Sequence, residues 1–237
     1  MRQSLLKELV NISIFTISDL HLSFSVNKPM SVFRGWEQYT ERLQQHWCRQ
    51  VKPEDTVVLP GDFSWGLKLE QTLADFKFLE SLPGQKILLK GNHDLWWSTV
   101  SKINAFFKQN GIKTVTLLYN NAFRVGDYTV CGTRGWMYDQ SCDSKLRLRE
   151  AGRLQLSLSA AEQLGGQKLV FMHYPPAYGE FVCTEILQIL QQHGVQTVYY
   201  GHIHGAGHAA TVPKIQNIAL RLVSADTLNF CPLQITP

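Results

Sequence analysis

The 237-residue sequence has few of the features that mark secreted or membrane-spanning proteins. Its five cysteines are odd in number, widely spaced and never arranged as a C-x-x-C pair. This argues against a disulfide framework or a thiolate zinc site and favours a reducing compartment. The chain has no apolar run of the roughly 20 residues that a transmembrane helix needs, and its first ten residues lack the apolar segment of a signal peptide. We therefore expect a cytoplasmic protein that does not associate with membranes.

Charge of one sign is not in large excess either. The chain has 23 Lys and Arg residues against 19 Asp and Glu, a formal net charge of +4. Its densest basic run, from Lys145 to Arg153, is interrupted by leucines, which favours the solvated face of a helix over a nucleic-acid patch. This balance fits a small anionic substrate without requiring one, and a nucleic-acid partner is not indicated. The oligomeric state stays open.

What the sequence does have is an alternation of short apolar segments, rich in β-branched residues, with longer amphipathic ones. The predicted strands are residues 12–18, 56–59, 86–89, 168–172 and 197–200. The predicted helices are residues 36–50, 68–81, 96–110, 143–164 and 179–193. A hairpin is predicted around Gly126-Asp127, and residues 218–235 should add one or two strands. We predict one α/β domain, residues 1–237, with mixed sheets.

Five of the predicted strands run directly into residues that can bind metals or move protons. These residues are Asp19 and His21, Asp62, Asn92-His93-Asp94, His173, and His202 with His204. In open α/β sheets, ligands gather outside the carboxyl ends of the strands, where side chains that are distant in sequence can converge. The pattern therefore predicts one site built from several strand ends.

Taken singly, most of these motifs leave an ordinary structural interpretation open. Asp19 could cap a turn, Gly61-Asp62 is a common turn, and His173 alone could be a hydrogen-bonded core histidine. Residues 92–94 are more specific, because a helix N-cap needs only one of their three polar side chains. The presence of all five motifs in one chain, each directly after a predicted strand, predicts a functional site.

Read together, the motifs resemble the calcineurin-like metallophosphoesterase superfamily, whose pattern is DxH, GDxxD, GNHD, a single His and GHxH. The resemblance covers residues 12–204 in the right order, and some flanking sequence looks like a bacterial branch of predicted phosphohydrolases with poorly defined substrates. It implies a four-layer αββα sandwich with two mixed β-sheets and two metal ions at the sheet edges.

The resemblance also implies a role for each matching residue. One metal would be held by Asp19, His21, Asp62 and His204. The other would be held by Asp62, Asn92, His173 and His202, with Asp62 bridging the two. His93 would contact the substrate and protonate the leaving group, oriented by Asp94, and Asn92 would also face the substrate.

Two further positions leave a question open. Trp65 stands where the family has the second Asp of GDxxD, which puts the residues that support the metal ligands in doubt more than metal binding itself. Arg134 follows a predicted strand between Gly132 and Gly135, so it is either a phosphate contact or a surface arginine at a turn.

The chemistry of the residues supports the same interpretation. Two divalent cations, two carboxylates and a bridging hydroxide leave a net charge of about +1, which suits an anionic phosphate ester and its transition state. The N/O ligand set favours Mn, Fe, Co or Zn, and we expect Mn to support activity in vitro. We predict a hydrolase of phosphate mono- or diesters with a hydroxide nucleophile. The alternatives are a non-catalytic metal-binding scaffold and a nuclease of the same family.

Overall fold

The structure is a computed structural model that describes residues 12–135 and 144–237. Its α-helices are Tyr39–Gln50 (α1), Leu73–Ser81 (α2), Val100–Asn110 (α3), Ser144–Leu164 (α4) and Thr184–Gln192 (α5). Its strands are Ile14–Thr16 (β1), Thr56–Leu59 (β2), Gln85–Leu89 (β3), Val115–Leu118 (β4), Ala122–Val125 (β5), Tyr128–Thr133 (β6), Gln167–Met172 (β7), Ala177–Tyr178 (β8), Phe181–Val182 (β9), Thr197–Tyr200 (β10), Lys214–Ile215 (β11), Ile218–Leu222 (β12) and Leu233–Gln234 (β13). Short 3₁₀ turns are Met30–Val32, Leu69–Thr72 and Gly205–Ala210.

Two large mixed sheets form the centre of the molecule. The first has five strands in the order β13-β1-β2-β3-β4, in which β1 to β4 are parallel and β13 is antiparallel. The second has six strands in the order β11-β12-β10-β7-β6-β5, with a parallel centre and an antiparallel strand at each edge. Both sheets therefore have a block of four parallel strands, which the first sheet flanks with an antiparallel strand at one edge and the second at both edges.

The buried apolar side chains lie in three layers between four layers of structure. Ile14 and Val58 of the first sheet pack with Val130, Leu169 and Phe171 of the second, so the two sheets face each other. On its outer face the first sheet packs against α1, α2 and α3, and the second sheet packs against α4 and α5. The αββα sandwich expected from the family resemblance is confirmed.

The alternation of side chains along each strand explains why both faces of the sheets are covered. Ile14 of β1 points to the partner sheet, whereas its neighbour Phe15 packs on the helical side. In β2, Val58 packs against the partner sheet and its neighbour Val57 packs on the helical side. Strands buried on both faces read as continuous apolar runs, which is how they appear in the sequence.

The five predicted strands and the hairpin around Gly126 are confirmed, and residues 218–235 contribute both β12 and β13. Three predicted helix starts were wrong, and a fourth helix, predicted from residue 68, begins as the 3₁₀ turn Leu69–Thr72 before α2. The helix predicted from residue 96 begins at Val100, because the Thr99 side chain caps it by accepting the Lys102 N–H. The helix predicted from residue 36 begins at Tyr39, because Gln38 has a left-handed φ of 48°. The helix predicted from Gly179 begins at Thr184, because β8 and β9 pair as a hairpin there.

The predicted start of α4 at Asp143 lies outside the described residues. A single domain over residues 1–237 stays a prediction. Within the described residues, no helix has the length and apolar character needed to cross a membrane.

Candidate metal centre

The polar residues singled out in the sequence come together at one edge of the two packed sheets. Asp19, Asp62 and Asn92 follow β1, β2 and β3 of the first sheet, whereas His173 and His202 follow β7 and β10 of the second. These strands run parallel within each sheet, so their carboxyl ends share an edge. Apolar pairing between strands thereby places residues that are far apart in sequence around one point.

The backbone at this edge adopts conformations that side-chain-bearing residues seldom take. Asp19, His21, Asp62 and His202 have φ values of 59°, 47°, 51° and 71°. A positive φ costs such a residue on the order of 1–3 kcal/mol and concentrates at functional sites. Gly91 lies so close to the Asp62 carboxylate that a Cβ at this position would collide with it. The chain therefore keeps strained turns where they aim these side chains.

A first group of donor atoms comes from Asp19, His21 and His204, which lie within 4.8 Å of one another. The Nε2 atoms of His21 and His204 are 3.4 Å apart, and His204 Nε2 is 3.5 Å from Asp19 Oδ1. The Asp19 carboxylate accepts hydrogen bonds from the His202 N–H and the Ser224 hydroxyl at 3.0 Å. These bonds fix its orientation.

A second group comes from Asp62, His173 and His202, also within 4.8 Å of one another. His173 Nδ1 lies 3.0 Å from the Pro60 carbonyl, which can only accept, so Nδ1 carries the proton. In the neutral ring Nε2 is then a lone pair, and it faces Asn92 Oδ1 at 2.6 Å and Asp62 Oδ2 at 3.5 Å. Three electron-rich atoms therefore converge, as they do around a cation.

Asp62 lies between the two groups. Its Oδ2 is 3.5 Å from Nε2 of His173 in the second group and 3.9 Å from Nε2 of His21 in the first. Its Oδ1 accepts the backbone N–H of His93 at 2.7 Å. One oxygen is thus held by the backbone while the other faces both groups, which is the position that a bridging carboxylate needs.

Burial keeps most of the imidazoles neutral. It lowers the pKa of His21 and of His173 to about 3, and that of His202 to about 4. Neutral imidazoles offer a lone pair, which is the form that binds metals. One nitrogen, His21 Nδ1, is buried without a hydrogen-bond partner among the described residues.

The carboxylates show that this edge lacks positive charge. Burial and the neighbouring Asp19 and Asp94 raise the pKa of Asp62 well above its usual range. Burial by itself lowers the pKa of His204, but hydrogen bonds to Asp19 and Asp226 outweigh it and raise that pKa to about 10. Both shifts mean that a cation at this point would be stabilised by the surrounding groups.

The donor set therefore fits divalent metal ions. Ligand atoms around one ion lie roughly 2.0–2.2 Å from it, so their mutual distances are close to the spread within each group. Buried carboxylates, an amide oxygen and neutral imidazoles, without thiolates, suit Mn, Fe, Co or Zn. The two groups are therefore two candidate metal sites, and Asp62 lies between them.

One supporting residue was missed in the sequence. Asp226 Oδ1 accepts a hydrogen bond from His204 Nδ1 at 2.9 Å, and Oδ2 accepts the Gly205 N–H at 3.1 Å. A carboxylate behind a histidine fixes the tautomer and turns the other nitrogen toward the metal. Its sequence signal is the same as that of the other site residues, since Asp226 comes shortly after the apolar strand β12.

The role predicted for Asp94 was wrong. Its carboxylate is fully buried and accepts five N–H groups instead of orienting the ring of His93. The donors are the backbone N–H groups of Asp62, Phe63, Ser64 and Gly91 and the Trp96 indole N–H. Asp94 therefore organises the two loops that carry Asp62 and Asn92.

Trp65, at the position where the family pattern has an Asp, contacts two histidines of the site. Its ring stacks on His21 with centroids 4.8 Å apart and planes at 21°, and lies 4.5 Å from the ring of His93. Its indole N–H donates to Met30 Sδ at 3.2 Å. The departure from the family pattern thus replaces a carboxylate with an aromatic wall that holds both rings.

Arg134 lies near the two groups of donor atoms, but its side chain lines a separate cavity. Its carbonyl accepts the Tyr174 N–H at 3.0 Å, and Tyr174 packs against His202 at 4.4 Å between ring centroids. The cavity that Arg134 lines also contains Lys90, Arg149 and Glu150. Burial lowers the pKa of the Arg134 guanidinium. A phosphate contact by Arg134 stays a prediction.

Comparisons with known proteins identify the family suggested by the sequence motifs. The family model of the calcineurin-like phosphoesterases matches residues 12–206. No curated protein matches the chain. Among solved structures, a protein of unknown function from Aquifex aeolicus is similar with a TM-score of 0.50 and 16% identity, covering 94% of this chain and 96% of its own.

Two further solved structures share the fold. The phosphopantetheinyl hydrolase of Mycobacterium tuberculosis has a TM-score of 0.52 and 12% identity, over 95% of this chain and 96% of its own. A Thermus thermophilus protein has a TM-score of 0.53 and 14% identity, over 81% and 82%. At these identities the similarity concerns the fold.

Proposed function

The chain belongs to the calcineurin-like phosphoesterase family, and from this premise we propose that it hydrolyses a small phosphate mono- or diester at a two-metal centre. Family membership makes it a metal-dependent phosphoesterase; the metal count, the ligand roles and the substrate are our proposal. Our further proposals are that Mn²⁺ supports activity in vitro and that the protein is cytoplasmic.

The observation that carries the proposal is the convergence, on both sides of Asp62, of side-chain nitrogen and oxygen atoms of the kind that bind metals. His173 Nε2, Asn92 Oδ1 and Asp62 Oδ2 face one another on one side of Asp62. On the other side, Asp62 Oδ2 faces Nε2 of His21, which lies 3.4 Å from Nε2 of His204. A structural hydrogen-bond network would place a donor opposite each acceptor.

Each residue then has a defined task. Asp19, His21, Asp62 and His204 would hold one ion, and Asp62, Asn92, His173 and His202 the other. When bound, the two divalent cations would supply positive charge that stabilises the transferring phosphoryl group and would make a water molecule more acidic. The chain itself supplies the strained turns that keep the donor atoms in place.

We propose that His93 gives the leaving group its proton. Its ring lies 5.6 Å from that of His21, next to the first group of donor atoms. It lines an open cavity with His21 and His204, so a bound ester could place its leaving oxygen near the imidazole. General acid catalysis of this kind contributes roughly 10²–10⁴-fold.

The test is reconstitution of metal-stripped protein with Mn²⁺, Zn²⁺, Co²⁺ or Fe²⁺, followed by elemental analysis and a panel of aryl and alkyl phosphate mono- and diesters. We expect two ions per chain and metal-dependent hydrolysis of small esters. One ion or none in the fully reconstituted protein would contradict the two-metal centre. Cleavage of nucleic acid in preference to every small ester would favour the nuclease alternative.

A matched pair of histidine variants separates the site from the rest of the surface. His173→Ala should lose one ion and most activity, because Nε2 is a proposed ligand. His193→Ala removes a histidine that pairs with Glu162 at 2.8 Å, away from the centre, and should keep both. Equal metal loss in both variants would mean that His173 is a structural residue.

A further inference from the structure

The open cavity beside His93 has walls that the metal centre does not require. It has a volume of about 490 Å³ and is bounded on one side by His21, His93 and His204. Its remaining walls are mainly apolar and aromatic, and comprise Met30, Phe33, Arg34, Trp36, Trp65, Gly205 and Asp226. A phosphoryl group needs cations and hydrogen-bond donors, so these walls are suited to another part of the substrate.

The position of the walls indicates which part of the substrate they contact. Trp65 packs on both His21 and His93, and Trp36 lies 6.0 Å from His21 and 5.9 Å from His204 between ring centroids. The aromatic walls thus lie beside the proposed acid, His93, and beside His21 and His204. The group that departs toward His93 would enter this cavity.

One wall is exposed although it is apolar. Phe33 is 55% exposed and follows the 3₁₀ turn Met30–Val32. Its exposed ring leaves room for a flat group to pack against it, and aromatic rings pair favourably with other rings. A cavity of this size holds one ring system with its sugar or linker.

The polar residue in the wall distinguishes a ring with polar edges from an aliphatic chain. Arg34 is exposed at the cavity, and an alkyl chain would remove water from its guanidinium without providing an acceptor. Lys28 lies 5.4 Å from the ring of Trp65 and adds a second cation near this wall. Heteroaromatic rings offer both a π-face for the aromatic walls and acceptors for these cations.

We infer that the cavity formed by Met30, Phe33, Arg34, Trp36 and Trp65 is a leaving-group subsite for a heteroaromatic ring, so that the preferred substrates are phosphate esters of nucleosides. This inference rests on the proposed function, since it names the substrate class of the same centre.

The first experiment measures kcat/KM of the Mn²⁺-reconstituted protein for nucleoside monophosphates, glycerol phosphate and hexyl phosphate. All three release an alkoxide, so differences between them report binding of the departing group. Nucleoside esters should be preferred over glycerol phosphate by roughly 5- to 150-fold, the usual contribution of stacking one base. A preference for hexyl phosphate, or no preference, would overturn the inference and leave the phosphoesterase function standing.

Variants of neighbouring residues locate the effect. Phe33→Ala should lower the ratio of nucleoside to glycerol ester efficiency by most of that factor, and Phe33→Tyr, which keeps a ring, should restore it. Val32→Ala is the matched control, because Val32 is 72% exposed on the same turn but outside the cavity lining. An equal change in the ratio for Val32→Ala and Phe33→Ala would contradict the subsite.

A binding measurement separates the failure of the subsite from the failure of the proposed function. Calorimetry with nucleosides that lack phosphate should show binding to the full chain that weakens in Phe33→Ala and not in Val32→Ala. If no ester is hydrolysed but nucleosides bind in this way, the subsite stands and the proposed reaction fails. If esters are hydrolysed and nucleosides do not bind, the reaction stands and the subsite is wrong.

Discussion

At the amino ends of the parallel strands of the first sheet, Asp55 and Lys86 are as deeply buried as Asp19 and Asp62 are at the carboxyl ends. The Asp55 carboxylate accepts the N–H groups of Ser13 at 2.9 Å and Lys52 at 2.8 Å. The Lys86 ammonium donates to the Leu82 carbonyl and to the Thr114 hydroxyl. Each of these charged groups has partners of the complementary kind.

At the carboxyl ends the pairing is of the opposite kind. Nε2 of His173 faces two oxygens, and Nε2 of His21 faces Nε2 of His204. Burial of a charged residue is therefore a poor marker of function, because both edges show it. The feature that distinguishes the carboxyl edge is the convergence of two groups of potential metal ligands, and the following predictions test this difference.

Metal removal should have the largest effect and should act only at the carboxyl edge. Chelation should abolish activity and lower the melting temperature, since ions that bind only the folded state stabilise it. The chain should stay folded at room temperature, because its three buried layers do not involve the metals. Far-UV circular dichroism with and without EDTA at 25 °C checks this, and loss of the helical signal would contradict it.

The same substitution at the two edges should have different consequences. Asp62→Asn should lower kcat/KM by more than about 10²-fold, because it removes charge from both groups of donor atoms. Its metal-free form should be at least as stable as wild type, since burial and the neighbouring Asp19 and Asp94 disfavour the charge of Asp62. Asp55→Asn should lose stability in urea unfolding and keep kcat. The reverse pattern would mean that the two edges have been assigned the wrong way round.

His93→Ala should separate proton transfer from metal binding at the carboxyl edge. The backbone N–H that donates to Asp62 remains, so both ions should be retained. Nitrophenyl esters, whose leaving group needs no proton, should lose little rate, whereas alkyl esters should lose roughly 10²–10⁴-fold. Equal losses on both ester classes with intact metal content would show that His93 binds substrate without acting as the acid.

Asp226→Asn should have an intermediate effect. It weakens the hydrogen bond that orients His204, so affinity for one ion should fall by roughly 10- to 100-fold while the other ion is retained. Metal titration followed by calorimetry measures the two affinities. His208→Gln is the control, because His208 lies 3.8 Å from the other oxygen of Asp226 and is not a proposed ligand. A loss of both ions would place Asp226 in the shared part of the centre.

The smallest effect concerns pH and belongs to the amino edge. Burial lowers the pKa of Lys86 to about 8 from 10.5. The unfolded chain therefore binds this proton more tightly, and the free energy of unfolding should gain a positive slope between pH 8 and 10.5, at most about 1.4 kcal/mol per pH unit. Lys86→Met should remove that contribution, as measured by urea unfolding across this pH range. The same slope in both proteins would show that Lys86 titrates normally.

The sequence predicted much of the fold because its signals are local. The apolar runs before Asp19 and Asp62 read as buried strands, and the strands are there. Residues 179–183 were misread, because the apolar pattern of α5 continues backwards into the pairing of β8 with β9. Such pairing depends on contacts across a turn, which a helical periodicity does not reveal.

For the candidate site, residue type and order in the sequence were enough to select the donor groups, but not the residues around them. Asp94 was misassigned because proximity in sequence to His93 suggested a contact that its five N–H donors exclude. Asp226 follows the apolar strand β12, but it was missed because the sequence does not show that β12 lies beside β10, next to the other strand ends of the site. The aromatic wall at Trp65 appeared in the sequence only as a departure from a family pattern.

By itself the sequence determined the strands, their polar ends and the chemistry of the donor atoms, because these follow from hydrophobic periodicity and residue type. Only the tertiary structure decided which atoms face one another. The pairing order of the strands and the packing of two sheets set those distances, and both depend on contacts between distant segments. The folded chain therefore decides that the carboxyl edge carries a site, whereas the buried charges of the amino edge are hydrogen-bonded to their neighbours.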